Sequence, residues 1–221
     1  MNLSSKTVSV LKNFADINEN ILFKPGKTLS TISNQKNVLA EAQVDETFDQ
    51  EFGIYKLPDF IRCLELFDKA DLQFNGGQSL TIKDSAGKAK LKYMFADKSV
   101  LTSPTKTIEL PDKEVTLSLK KDVFDKLMRV AVTLNLPDIS IEGNGKTIEF
   151  ICLDKKDSST NDYKMEIGTT NKVFKAYFKK ENFKLIPGDY DVAISKQKIS
   201  HFINRSMPIQ YWIAVEPDSE F

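Results

Sequence analysis

Four cations on one short stretch are the residues with the most chemistry to offer. Lys120, Lys121, Lys126 and Arg129 fall within KKDVFDKLMRVAVTLN, residues 120–135, with Asp122 and Asp125 among them. Ammonium and guanidinium groups ranged along a surface hold anions by charge, phosphates in particular. The residues between them are spaced as a helix. Val123, Phe124, Leu127, Val130, Ala131 and Leu134 recur so as to form one broad apolar stripe. SSKTVSVLKNFADIN, from Ser4, repeats the arrangement, with Val8, Leu11, Phe14 and Ile17 on one side and Lys6, Ser9, Lys12 and Asn13 away from it. Lys179, Lys180 and Lys184 fall on a short helix predicted around 179–185. Another, at 58–68, opens with Pro58 at a favourable first position and sets Arg62 and Lys69 against Asp59 and Glu65.

A single basic helix face is usually only solvated. Recurrence at corresponding places in the chain favours a surface for an anionic polymer. Lysines without arginine clusters or Asn/Gln reading pairs neutralise phosphates but offer no base readout. Such binding is salt-sensitive, sequence-blind and compatible with movement along a duplex. Scattered contacts of this kind do not retain a protein on DNA, and a closed ring would.

Other constellations are weaker. Gly26-Lys27-Thr28 and Gly145-Lys146-Thr147 look like the end of a phosphate-binding loop. That loop needs a further Gly five residues upstream and a helix after it; Ile21 and Ser140 stand there, and strand-like runs follow. Asp138, after Pro137, with Asp154-Lys155-Lys156 fits the layout of a metal-dependent nuclease superficially, but both segments read as polar turns. His201, the only histidine, lies in an alternating strand, and the aromatic residues sit at strand-periodic positions rather than forming a stacking platform. No nucleophile–base set and no metal-spaced cluster emerges. We therefore expect no catalytic residue, metal or cofactor.

Lysine plus arginine and aspartate plus glutamate number 31 each, which excludes a protein that coats nucleic acid by bulk charge. Cys63 and Cys152 sit in apolar stretches without a CxxC or a partnering His, as reduced core thiols do. No apolar run approaches a bilayer-spanning length and MNLSSKTVSV has no signal-peptide core, so a membrane role is not expected.

The chain says things twice. A helical pattern, a short strand and a Gly-Lys-Thr turn occur as Val8–Ile17, Ile21–Phe23 and PGKTLSTIS, then again as Val123–Leu134, Ile139–Ile141 and NGKTIEFIC. FGIYKLPDF at 52–60 is answered by FKAYFKKENF at 174–183, and three strand-like segments follow each. We read two similar α+β domains, 1–106 and 107–221, each an antiparallel sheet system with two helices on one side. An exposed connector of about 97–114 joins them, with some strand character at Ile108 and Leu110.

The order and spacing of Leu11-Lys12-Asn13-Phe14-Ala15 with Ile17-Asn18, Leu127-Met128-Arg129-Val130, Pro187-Gly188-Asp189-Tyr190 and the ending AVEPDSEF carry a resemblance. The chain resembles, from end to end, the sliding clamp (DNA polymerase processivity factor) of T-even-type bacteriophages. That resemblance implies two processivity-fold (DNA clamp) domains per subunit and a homotrimeric ring, closed head to tail, with helices lining the hole around double-stranded DNA. It implies Lys12, Lys120, Arg129 and Lys184 at pore-lining positions; helical geometry adds Lys6, Lys121, Lys126, Lys179 and Lys180. The resemblance is broken at Val132, where the best-known relative has a further basic residue. The resemblance further implies an ATP-dependent clamp loader, a replicative DNA polymerase attached through its C-terminal peptide, and a late-transcription sigma-like factor with RNA polymerase as partners. The setting implied is the cytoplasm of an infected bacterial host cell. Leu101, Ile108, Leu110, Ile186, Pro187 and Pro217 are the candidates for the partner-peptide pocket, and open domain edges for the subunit contacts. The alternatives are a metal-dependent nuclease and a nucleic-acid-binding protein that forms no ring.

Overall fold

The computed structural model describes residues 1–105 and 108–221. The chain divides into two compact units, Met1–Lys106 and Thr107–Phe221.

The first unit opens with α1 (Ser5–Ile17), whose buried stripe is Thr7, Val10, Leu11, Phe14 and Ile17. Val8, expected on that stripe, is only half-buried. The Ser4 hydroxyl caps the helix by accepting from the Thr7 N–H at 3.2 Å. Strands β1 (Ile21–Phe23), β2 (Gly26–Ile32), β3 (Val38–Phe48) and β4 (Phe52–Ile54) follow. β2 and β3 form an antiparallel hairpin, and β4 returns to pair with β1. Helix α2 (Leu57–Glu65) buries Leu57, Phe60, Ile61 and Leu64 and packs on α1. An antiparallel meander of β5 (Asp71–Phe74), β6 (Ser79–Lys83) and β7 (Lys90–Met94) completes the unit.

The second unit repeats the order. After β8 (Val115–Leu119) comes α3 (Lys121–Thr133), then β9 (Asp138–Asn144), β10 (Thr147–Leu153), β11 (Tyr163–Thr169) and β12 (Val173–Lys179). These strands lie in the order β11-β10-β9-β12, with β12 antiparallel to β9 as β4 is to β1. The closing meander is β13 (Tyr190–Ser195), β14 (Ile199–Asn204) and β15 (Ile209–Ala214), with β8 added beside β13.

The repetition reaches single bridges. Asn2 bridges Asp71 of β5, as β8 flanks β13. Past each meander the chain returns to an earlier strand, Ala96 to Gly53 and Glu220 to Lys175. Gly145-Lys146 is a turn leading into β10, whereas Gly26-Lys27-Thr28, expected as a turn, already opens strand β2 across a register irregularity. φ is +116° at Gly26 and +84° at Gly145, values that glycine tolerates without strain. The Asn144 carboxamide oxygen accepts from the Lys146 and Thr147 N–H groups at 3.0 and 2.9 Å, closing the turn at Gly145.

Three expectations need correction. The helix predicted around 179–185 is a single 3-10 turn, Lys180–Asn182, so the second unit has one α-helix among the described residues. Lys179 and Lys180 occupy places where a helix would need apolar residues, and Phe183 turns inward to meet Phe124, Phe150, Phe178 and Phe202. Leu134 does not extend the stripe of α3. The backbone turns left-handed at Asn135 (φ 52°), leaving Leu134 exposed and Leu136 in the core. Ile108 and Leu110 are half-buried but form no strand.

Candidate nucleic-acid interface

Helix α3 turns Phe124, Leu127 and Ala131 into the core and thereby presents Lys121, Lys126 and Arg129 to solvent. Its N-terminal N–H groups need acceptors, and Asp189 supplies one by accepting from the Lys121 N–H at 2.9 Å. The other oxygen of Asp189 accepts from Lys120 Nζ at 2.8 Å. These bonds, that of Lys120 first, hold the Asp189 carboxyl below the usual carboxylate range. Lys121 pairs with Asp125 one turn along. The Lys126 ammonium stands 6.0 Å from the Tyr163 ring centroid, and neither it nor Arg129 forms a salt bridge among the described residues. Lys180 Nζ lies 3.4 Å from the Ala131 carbonyl oxygen, where a cation meets the negative end of the helix dipole.

Lys179 is placed differently. Its ammonium lies 2.6 Å from Oδ1 of Asp138, whose side chain is only 1% exposed. The second oxygen of Asp138 accepts from the Lys155 N–H at 3.0 Å. The bond to Asp138 raises the Lys179 pKa. Lys184 is exposed.

In the first unit Lys12 is exposed but sits 2.6 Å from the Glu65 carboxylate, which ties α1 to α2. Arg62 pairs with Asp59 within α2. Lys6 is half-buried. Sequence reasoning found the cations and missed most of their partners. Asp189 and Asp138 lie about 69 and 41 residues from the lysines they hold, and no local spacing announces them. Glu65 was visible only as a helical neighbour of Arg62.

The nuclease candidates Asp138 and Asp154-Lys155-Lys156 are neighbours, since Asp138 pairs with Leu153 across β9 and β10, but their carboxylates are engaged by backbone and lysine groups. Asp138 is saturated as described, and Asp154 accepts from the Lys156 N–H at 2.8 Å in its own turn. No metal-ligating group of three or more carboxylate, His or Cys side chains occurs among the described residues. Burial lowers the His201 pKa, and the ring stacks on Trp212 at 4.6 Å and bonds to Gln210.

Of the peptide-pocket candidates, Ile186 belongs to the core at 7% exposure. Its N–H donates to the Tyr211 hydroxyl at 3.1 Å and its carbonyl accepts from the Tyr190 hydroxyl. Leu101, Ile108 and Leu110 are half-buried, while Pro187 and Pro217 are exposed. None of the six lines the cleft of ≈ 300 Å³ on β8, β13 and β14, where Lys113, Ser118, His201, Ile203 and Arg205 stand. Among the described residues the end strands of the sheets pair on one side only, β7 beside β6 and β11 beside β10 among them. No helix among the described residues is long and apolar enough to cross a membrane.

Comparison with known proteins agrees with this architecture. Proliferating cell nuclear antigen from Entamoeba histolytica superposes with a TM-score of 0.69 at 14% identity, covering 95% of this chain and 94% of its own. A chain of the PCNA2–PCNA3 complex from Sulfolobus tokodaii gives 0.63 at 13%, covering 95% of each. The class is therefore the two-domain α+β DNA-clamp fold. Residues 3–102 match the model described as DNA polymerase processivity factor, and 116–217 the model described as gp45 sliding clamp, C terminal. The sliding clamps of Vibrio phage KVP40 and Escherichia phage RB69 are each 29% identical, covering 98% and 99% of this chain and 99% and 98% of their own lengths. That of Enterobacteria phage T4 is 27% identical, over 99% of this chain and 98% of its own. The chain belongs to the bacteriophage sliding-clamp family, the family of DNA polymerase processivity factors.

Proposed function

We propose that the protein is a non-enzymatic clamp whose homotrimer encircles double-stranded DNA and tethers a replicative DNA polymerase. The observation that carries this reading is the match of both repeated units, in order, to the two halves of the sliding-clamp family. The units act as the N-terminal clamp domain, 1–106, and the C-terminal clamp domain, 107–221, with a connector of about 97–114. The open edges of β7 and β11 support head-to-tail closure, because pairing between successive subunits would satisfy the backbone groups that each leaves exposed.

DNA passes the basic helical face, and an ATP-dependent clamp loader opens the ring to admit it. The polymerase docks by a short peptide near the connector and C-terminal region, with Leu101, Ile108, Leu110, Ile186, Pro187 and Pro217 as candidate contacts. A late-transcription sigma-like factor and RNA polymerase use the same surface, in the cytoplasm of an infected bacterial host. Retention comes from enclosure, since phosphate contacts of this kind weaken steeply with salt.

The test compares polymerase stimulation on circular and linear primed DNA with the matching loader and ATP. Stimulation should persist on circles and be lost by run-off from blunt linear ends. Equal retention on both, or a stable monomer at micromolar concentration in light scattering, would overturn the ring.

A further inference from the structure

We infer that phosphate contact is made by the helical face of the second unit alone, and that α1 and α2 form an electrically self-cancelled face. This rests on the reading that these faces meet duplex DNA. In the first unit three cations, Lys6, Lys12 and Arg62, stand against three anions, Asp16, Asp59 and Glu65, for a net charge of zero. Two of the three cations are in contact with a carboxylate, Lys12 with Glu65 at 2.6 Å and Arg62 with Asp59. An ion pair presents a dipole to a phosphate several ångströms away, and its attraction falls off faster than that of a lone charge.

The second unit is not balanced. Within α3 three cations face two anions, and from 179 to 184 three cations face Glu181, leaving an excess of one and of two positive charges. Asp189 and Asp138 draw off Lys120 and Lys179. The charge left without a carboxylate in contact includes Lys126, Arg129 and Lys180, on α3 and beside its last turn. The face ends in Val132, 68% exposed, so Arg129 is the last cation along this helix.

The two faces should respond in opposite directions to removal of one charge. The measurement is fluorescence anisotropy of a labelled short duplex against the assembled protein, across a salt series. Lys126→Gln with Arg129→Gln should weaken binding about tenfold or more at low salt and flatten the log–log salt slope by about 2. Lys12→Gln should leave affinity within about twofold. Glu65→Gln, which exposes the Lys12 charge, should tighten binding severalfold and steepen the slope by about 1. Equal losses from Lys12→Gln and Lys126→Gln, or no gain from Glu65→Gln, would overturn the inference. Polymerase stimulation by the unmodified protein on circles separates the two claims. Stimulation with the wrong order of variants defeats only the asymmetry, whereas absence of both stimulation and duplex binding defeats the clamp reading too.

Discussion

In the first unit the helical layer is α1 packed on α2, and the aromatic centre lies among the strands: Phe52 stacks on Phe23 at 4.4 Å and meets Phe95 at 4.9 Å and Phe74 at 5.1 Å. In the second, α3 has only the turn Lys180–Asn182 in place of a second helix. The residue just after that turn, Phe183, meets Phe178 at 5.4 Å, Phe202 at 5.8 Å and Phe124 at 5.9 Å. One order of elements is thus held together in two ways. Where a helix is lost, a single ring beneath it links α3 to both sheets, and the lysines around it are released from helical spacing.

The largest effect should come from removing either centre. Phe52→Ala and Phe183→Ala should each cost about 3–5 kcal/mol, the range for deleting a buried aromatic ring, as read by urea unfolding. A loss below about 1 kcal/mol for Phe183→Ala would mean that α3 is held by its stripe alone, and the contrast between the units would fail.

That contrast also marks what the sequence could reveal. Strands β6, β7 and β14 were legible because one face more buried than the other imposes a period of two, and Gly145 because a tight turn requires it. The extent of α1 and α3 followed from their apolar spacing. Lys179–Asn182 was misread because lysines suit both an exposed helix and a strand end, and only Phe183 turning inward decides between them. The cations of the interface were legible as residue types. Their engagement was not, because Glu65, Asp138 and Asp189 reach them through tertiary contact.

Ion pairs sharpen the comparison at an intermediate size. Asp138 is buried and anchors Lys179 together with the Lys155 backbone, whereas Lys12 and Glu65 are each about half exposed. Asp138→Asn should therefore cost about 2–3 kcal/mol, somewhat less than a fully buried pair because Lys179 retains some solvent. Glu65→Gln should cost no more than about 0.5 kcal/mol. Similar values for the two would mean that the buried pair is screened as fully as the surface one.

Both leading helices borrow a carboxylate for their first turn. Glu46 accepts from the Ser4 N–H and the Thr7 hydroxyl, and although burial works against it, those bonds hold its pKa below the usual value. Asp189 does the same for α3 from a half-exposed position. A carboxylate with a depressed folded pKa contributes stability above its unfolded value, and that contribution is lost as pH falls through the folded value. Glu46→Gln should cost about 1 kcal/mol at neutral pH and progressively less below about pH 4. Asp189→Asn should show the same pH trend with a smaller loss, in matched urea titrations.

The smallest effect is on reactivity, and it reads the units one at a time because each carries one cysteine. Cys63 lies on α2 with its side chain partly open to solvent, while Cys152 is fully buried on β10 and its thiol donates to the Leu127 carbonyl at 3.4 Å. Burial pushes the Cys152 pKa up to about 11, so almost none of it is thiolate near neutrality. A disulfide-exchange reagent should therefore label one thiol per chain in the native protein and the second only on unfolding. Phe183→Ala should speed the second reaction selectively, because the ring and Cys152 both brace α3 from below, whereas Phe52→Ala should leave it unchanged at low denaturant. If both substitutions release Cys152 equally, the units unfold as one, and the two cores differ in composition but not in independence.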